Sequence, residues 1–305
     1  MPVELNAWPG NRLHRLLKRV EHNREIEPLV ERLAGAVTAA LDRGGARNAL
    51  SGTWLGHALH PVLTDFADGA WMGASFLDVF GPRGAAPAAQ RLVGFGLLAA
   101  VPTGLTGLAE WVGTDDNERR VGLLHAGTST AAFGLYACSY LARRRGRHLE
   151  GVVLGVAGGV VAFMDGYVGG HLSLVLGVGV GQTAFSPRPR DWTPAADVED
   201  LVEARPAKAL VDGTEIVLLR RGDHLFALAN RCTYRGGELH KGEVQGDAIV
   251  CPRHGCTFGL EDGAVLSGPA SIPQPCLEVR TRQGRVEVRD KAGSPETPRT
   301  RPRLA

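Results

Sequence analysis

Residues 231–258 read RCTYRGGELHKGEVQGDAIVCPRHGCTF. Two short cysteine-bearing loops flank a stretch that reads as a hairpin, and they decide how the C-terminal third of the chain folds. The second loop is Cys251-Pro-Arg-His254, a thiol and an imidazole on one tight turn. By symmetry the first loop should offer the same pair. It reads Cys232-Thr-Tyr234 instead, with a phenol in the second place, and sixteen residues then lead to Cys251. Thiolates and imidazoles in this pattern are the donors of zinc and iron–sulfur sites.

Outward from these loops the pattern is β throughout. The runs EIVLLRR, HLFALAN, AIVCPRH, CLEVRTR and RVEVRD are short and β-prone. Between them stand Asp212-Gly213, Gly222-Asp223, Gly246-Asp247, Asp262-Gly263 and Gln283-Gly284, which are turn dipeptides. A small all-β barrel or sandwich is expected over 198–290. A linker, SPRPRDWTPAADVED, is expected before it, centred on 186–197, and a disordered Pro- and charge-rich tail after it, over 291–305.

The chain has 305 residues, enough for two domains, and a formal net charge of +2. Nothing in that charge or its distribution suggests nucleic-acid binding. Cysteine is scarce, at five residues, and four of the five fall between 232 and 276, which favours metal chemistry over a disulfide framework. Cys138 and Cys276 read as core residues, and His224 as a surface residue in a turn. The first residues, MPVELNAWPGNRLHRLLKRVEHNREIE, lack the apolar centre of a signal peptide.

A mean hydropathy of −0.05 averages two unlike halves. Val121–Ala142, Gly151–Val180 and Leu92–Val112 are long, apolar and nearly free of charge, and about 20 such residues span a bilayer. Trp54–Phe80 is more polar, with His57, His60, Asp65, Asp68 and Asp78. Beside three strong candidates it reads as a fourth span with a polar face turned inward. A four-helix transmembrane domain is therefore expected over 51–185. It is preceded over 1–50 by an amphipathic helical segment that Pro28 divides in two. Flanking arginines tie between the two sides, and the missing signal peptide places the C-terminal domain in the cytoplasm, at the inner cell membrane.

Antiparallel alternation of four spans puts His57, His60, His125 and His171 at one end of the bundle, the end from which the C-terminal domain emerges. Histidines within spans are functional candidates. Two could ligate a haem b iron, several could hold another metal or an ion, or they could form a polar cluster that fixes helix packing. No nucleophile–base pair, phosphate loop or carboxylate pair stands out, so no catalytic residue is assigned.

Two resemblances add to this. WLGHALHPVLTDFADGAW, VPTGLTGLAEW, RRVGLLHAGTST and GYVGGHLSLVLGVGV resemble a bacterial family of four-helix membrane proteins of unknown function, over about residues 30–185. The resemblance implies the four-helix fold and marks His57, His60, Asp65, His125 and His171, without supplying chemistry. ANRCTYRGGELHKGEV, CPRHGCTF and GPASIPQP resemble the three loops of a Rieske ferredoxin. That likeness implies a [2Fe-2S] cluster with Cys232 and Cys251 on one iron and His254 on the other. Tyr234 stands where the family has its second histidine. Either Tyr234 ligates as phenolate, or Cys256 or His240 substitutes, or the cluster is lost and the fold kept; a mononuclear zinc on the remaining donors is a further alternative.

The function expected is membrane-anchored electron transfer, from a Rieske-like carrier to a haem or metal site in the bundle. A lipid bilayer, a redox protein and further copies of the chain are its expected partners. The rivals are a cluster-free docking module on a membrane anchor and a metal-handling membrane protein built on the histidines.

Overall fold

The computed structural model describes residues 9–41 and 46–291. The chain divides into two compact units, Met1–Leu50 with Leu59–Val178, and Ser51–Ala58 with Gly179–Ala305.

The first unit is helical. Two helices open it, α1 (Pro9–His22) and α2 (Glu27–Leu41), followed by a short α3 (Ala46–Ser51). The break between α1 and α2 falls where Pro28 demands it. Asn23 accepts a hydrogen bond from the Glu25 N–H, and Pro28 sits in the first turn of α2, where its missing N–H costs nothing. Leu17 and Glu21 of α1 and Val30 and Ala34 of α2 are buried. Arg120, itself buried, ties both helices down by donating to the Glu21 carbonyl and to the Glu27 carboxylate.

Four long helices follow: α4 (Leu59–Phe80), α5 (Ala86–Trp111), α6 (Asp116–Arg144) and α7 (His148–Leu174). They form two hairpins, α4–α5 and α6–α7, that repeat one arrangement. His60 of α4 packs on Gly107 of α5, and His125 of α6 packs on Gly169 of α7. Further along, Trp71 packs on Gly96 and Tyr136 on Gly158. Facing residues of α4 and α6 meet at a constant offset of 65 positions: His60 with His125, Trp71 with Tyr136, Asp78 with Arg143. The sequence resemblances did not disclose this duplication.

Several sequence expectations change. Of the four expected spans, α5 and α7 are long and apolar enough to cross a membrane; α4 and α6 carry too many polar residues to qualify. The fourth span does not begin at Trp54, because residues 53–55 form a 3₁₀ turn between two left-handed glycines, Gly52 and Gly56. His57 therefore lies outside α4, exposed, in the second unit, and shares no helix face with His60. The last span stops at Leu174 rather than Val180, before left-handed Gly177 and Gly179. Cys138 is exposed on α6 rather than core, whereas Cys276 is buried.

The second unit is β. Its larger sheet has the order β1-β10-β9-β4-β3-β2, built from β1 (Thr193–Asp197), β2 (Ala207–Val211), β3 (Thr214–Arg221), β4 (His224–Ala229), β9 (Cys276–Arg282) and β10 (Arg285–Asp290). Edge strands β1 and β2 approach each other, so the sheet nearly closes. The smaller sheet is the meander β5 (Glu243–Gln245), β6 (Ala248–Val250), β7 (Thr257–Gly259), β8 (Val265–Ser267). Strand β1 occupies residues expected to be linker. Beside it Trp192 is sandwiched between the guanidinium groups of Arg280 and Arg289, at 4.2 and 4.6 Å. Alternation along β3 and β4 buries Ile216 and Leu218 on one face of the sheet, and Val217, Leu219 and Leu228 on the other with Ile249 and Phe258 of the small sheet. The tail beyond Lys291 lies outside the described residues.

Candidate metal centre

The small sheet presents its two loops side by side, and the loops share one backbone geometry. The Cys232 N–H donates to the Gly237 carbonyl at 2.7 Å, and the Cys232 carbonyl accepts from the Gly236 N–H at 3.1 Å. The Cys251 N–H donates to the Cys256 carbonyl at 2.8 Å, and the Cys251 carbonyl accepts from the Gly255 N–H at 3.0 Å. Each loop thus curls around its cysteine through the same two hydrogen bonds. Gly236 and Gly255 both have positive φ, at 67° and 70°, which the curl requires of an otherwise ordinary turn. The loops also approach closely: a Cβ at Gly237 would sit 2.5 Å from the Cys251 Sγ.

A third loop, between β8 and β9, clamps the first. Buried Gln274 accepts from the Thr233 N–H at 3.0 Å and donates to the carbonyls of Ala229 and Arg231 at 2.7 and 2.8 Å. The Thr233 hydroxyl donates to the Ile272 carbonyl at 2.9 Å. No motif at the sequence level pointed to Gln274; its amide matters because it satisfies three backbone groups that no strand partner reaches.

Cys232 and Cys251 are buried with their side chains in hydrogen-bond contact, and Cys256, also buried, lies against Cys232. The Cys232 S–H and the backbone N–H groups of Arg253 and His254 hold the Cys251 thiol down at about 6, against the opposing effect of burial. Cys232, donating to Cys251 and Cys256 and buried besides, is pushed far up. Of the two thiols Cys251 is the one favoured to ionise, and thiolates are the ligating form. Cys276 is pushed up to about 11 by burial and sits in the core.

Tyr234 and His254 stand together as a second pair, ring centroids 5.4 Å apart and planes at 87°. His240, weighed as a substitute ligand, is held elsewhere: its N–H and its Nδ1 both bond the Asn230 side-chain oxygen, at 2.9 and 3.0 Å. Among the described residues no three His, Cys, Asp or Glu side chains converge to hold a single ion. The mononuclear alternative is not what this geometry offers. A two-iron cluster needs two pairs, thiolates on one iron and two other donors on the second. Cys232 with Cys251 and His254 with Tyr234 make two such pairs, and the phenol is the one donor out of type.

The four histidines expected at one end of the bundle do not form one set, and His57 belongs to the other unit. His60 and His125 face each other, centroids 6.5 Å apart. His60 Nδ1 bonds the Thr103 carbonyl at 2.9 Å, and His125 Nδ1 bonds the Asp165 carboxylate at 2.7 Å. His171 is drawn away to buried Glu21 at 2.7 Å, with His14 edge-on at 5.7 Å. His57 bonds the carbonyl of its neighbour Ala58. The four expected cofactor ligands are thus one facing pair and two separate residues, and nothing in their arrangement supports haem or a bundle metal.

Comparison with known proteins bears on the β unit. The family model described as Rieske [2Fe-2S] domain matches residues 191–278. The anthranilate 1,2-dioxygenase ferredoxin subunit of Burkholderia cepacia is 29% identical over 98 residues, covering 32% of this chain and 91% of that protein. Ferredoxin CarAc of Metapseudomonas resinovorans is 33% identical over 78 residues, covering 26% of this chain and 73% of that protein. Among solved structures, the ferredoxin of carbazole 1,9a-dioxygenase from Nocardioides aromaticivorans IC177 is 26% identical, covering 33% of this chain and 98% of that one, with a TM-score of 0.32. A domain of this family implies a [2Fe-2S] cluster and electron transfer, and the paired thiols and curled loops accord with both. Through residues 191–278, the chain belongs to the Rieske [2Fe-2S] domain family.

Proposed function

We propose that this protein is a membrane-anchored one-electron carrier whose cluster is held by Cys232 and Cys251 on one iron and by His254 and Tyr234 on the other. The observation that carries the proposal is the matched pair of loops, with two adjacent buried thiols on one side and the Tyr234–His254 pair on the other. When bound, a cluster of this kind supplies reversible one-electron transfer. The chain's own contribution is to keep Cys251 ionised, to exclude water from both thiols, and to present His254, partly exposed, at the rim. A phenolate is a hard, anionic donor. With Tyr234 as ligand the potential falls below the roughly −150 to +300 mV of bis-histidine centres. The two ferredoxin relatives make a second redox protein the natural partner; one is named as the ferredoxin subunit of a dioxygenase.

Membrane anchoring rests on the helical unit, and with it the likeness to the four-helix family. On α4, Val62, Phe66, Met72, Phe76 and Val79 are exposed, with Asp65 the one exposed charge among them, while His60, Thr64, Asp68, Ser75 and Asp78 are partly buried. Helix α5 exposes Phe95, Leu98, Val101 and Leu105, and α7 exposes Val153, Val156, Val160 and Phe163. Apolar faces this continuous are stable against lipid, not water.

One variant tests the carrier. Full-length protein, prepared anaerobically with iron, should show sulfide-to-iron charge-transfer absorption, and Tyr234→His should retain it while raising the potential. A wild type that stays colourless while Tyr234→His gains a Rieske spectrum would sink the carrier in favour of the second reading, a cluster-free docking module. Tyr234 itself is the observation that favours that reading. Anchoring is tested separately: the protein should stay with membranes through alkaline carbonate extraction.

A further inference from the structure

The inward polar residues of α4 and α6 form two continuous stripes. On α4 they are His60, Thr64, Asp68, Ser75 and Asp78; on α6 they are His125, Thr128, Ser129, Tyr136, Ser139 and Arg143. Apart from adjacent Thr128 and Ser129, they stand three, four or seven positions apart, which keeps each set near one helix face. From His60 to Asp78 the α4 stripe rises about 27 Å at 1.5 Å per residue, close to the thickness of a hydrocarbon core.

Hydrogen bonds join these side chains at each end of the column, and electrostatic interactions and a stacked ring pair lie between. At one end His60 faces His125. The acceptor on its Nδ1 is a carbonyl, so that nitrogen carries the proton and Nε2 is left basic. His125 bonds Asp165 of α7, whose carboxylate also receives the hydroxyls of Thr128 and Ser129. Asp68 interacts electrostatically with Asp165, Asp65 and His125, and with Tyr136. The Tyr136 hydroxyl lies beside Ser75, and Tyr136 stacks on Trp71 at 4.2 Å. Midway along, Trp71 Nε1 is buried against Gly96 with no hydrogen-bond partner. At the far end Ser139 bonds the Gly151 carbonyl at 2.5 Å and accepts from Arg143 at 3.2 Å. Arg143 holds Asp78 by two hydrogen bonds, at 2.9 and 2.5 Å, with both side chains buried.

We propose that this column is a proton relay through the helical unit. The proposal rests on the membrane reading above. Lipid-facing bundles keep ionisable side chains inside where those groups carry ions or protons, and sites of this kind lie between structural repeats, as this one does between the two hairpins. A proton taken up at His125 Nε2 releases the Nδ1 proton to Asp165. One N–H bond forms, one breaks, and no electron changes hands. Asp68, which interacts electrostatically with Asp165, receives it next, and the Tyr136 and Ser75 hydroxyls continue the column toward Asp78. The buried Arg143–Asp78 pair is neutral overall, and its fixed cation opposes the passage of metal ions.

The test is proton entry into vesicles. The full-length protein is reconstituted into liposomes holding a pH-sensitive dye, with an inside-negative potassium diffusion potential set by valinomycin. The lumen should acidify faster than in protein-free vesicles. Asp165→Asn and Asp68→Asn, each checked for wild-type gel-filtration behaviour, should fall to the protein-free rate. Glu150→Gln, on the exposed start of α7, should keep the wild-type rate. Protein that co-floats with the liposomes and resists carbonate, yet acidifies them no faster than protein-free controls, overturns the relay and leaves the anchor standing. Folded Asp165→Asn and Asp68→Asn that both conduct like wild type also overturn it. Protein that fails to co-float overturns the anchor, and the relay with it.

Discussion

The two units of this chain each bury an apolar core, but they differ in what they leave outside and what polar groups they take inside. In the β unit Phe258, Ile249, Leu219 and Leu228 are buried, and Lys241, Glu243, Asp247 and Arg253 are outside. In the helical unit Leu98, Phe163, Phe76 and Met72 are outside, and Asp78, Arg143, Asp165 and His125 are inside. Hydrophobic burial drives the first arrangement and works against the second, unless the medium around the helices is itself apolar. The contrast is the feature that the proposed membrane anchoring accounts for.

Removing a core side chain from the β unit should have the largest effect. Phe258→Ala should cost about 3–5 kcal/mol in that unit, read as a lower denaturant midpoint for its β signal. A smaller loss would mean that the small sheet is packed loosely around its loops.

The contrast itself is tested at Leu98, halfway along α5 and 75% exposed. In water Leu98→Arg should change stability by less than about 0.5 kcal/mol. In lipid it should cost about 2.5–3.5 kcal/mol, seen as a reduced membrane-inserted fraction. A neutral outcome would break the comparison.

At the metal centre, Gly237→Ala should cost about 1–3 kcal/mol, because the added methyl meets the Cys251 sulfur at 2.5 Å. It should also remove the charge-transfer absorption, whereas the same exchange at Gly246, with nothing within 4 Å, should leave the absorption intact.

The smallest effect concerns pH. Burial works to raise the Glu21 carboxyl, but Lys18 and His171 outweigh it and hold it below the ordinary 4.5. A lowered folded value means that the ionised carboxylate helps dock α1 at neutral pH. That help is retained above the unfolded value and lost as pH falls through the folded one. Hydrogen exchange in α1 should therefore quicken only below about pH 4.5. Glu21→Gln should remove that pH step.

Much of this was visible in the residues themselves. Cys232, Cys251 and His254 mark two loops that the structure brings together, and Asp212-Gly213 and Gln283-Gly284 mark hairpins now seen at β2–β3 and β9–β10. Pro28 divides α1 from α2 as expected. His57 misled, because its spacing from His60 looks helical while Gly56, in a left-handed conformation, ends the preceding turn and delays α4. His171 misled differently: alternation of spans places it at the right end, but Glu21, 150 positions away, claims its ring. Gln274 went unseen because a lone glutamine has no pattern, and its role exists only where three loops meet.

The order of residues alone determined that a helical part precedes a β part, and the Rieske character of the latter, because turn chemistry and hydrophobic period are local properties; it did not place 51–58 with the β unit. Which donors pair, which thiol is ionised, and which histidine faces which carboxylate were decided only by the tertiary structure. Those depend on distances between segments far apart in the chain, and electrostatic and hydrogen-bond energies vanish unless such distances are a few ångströms.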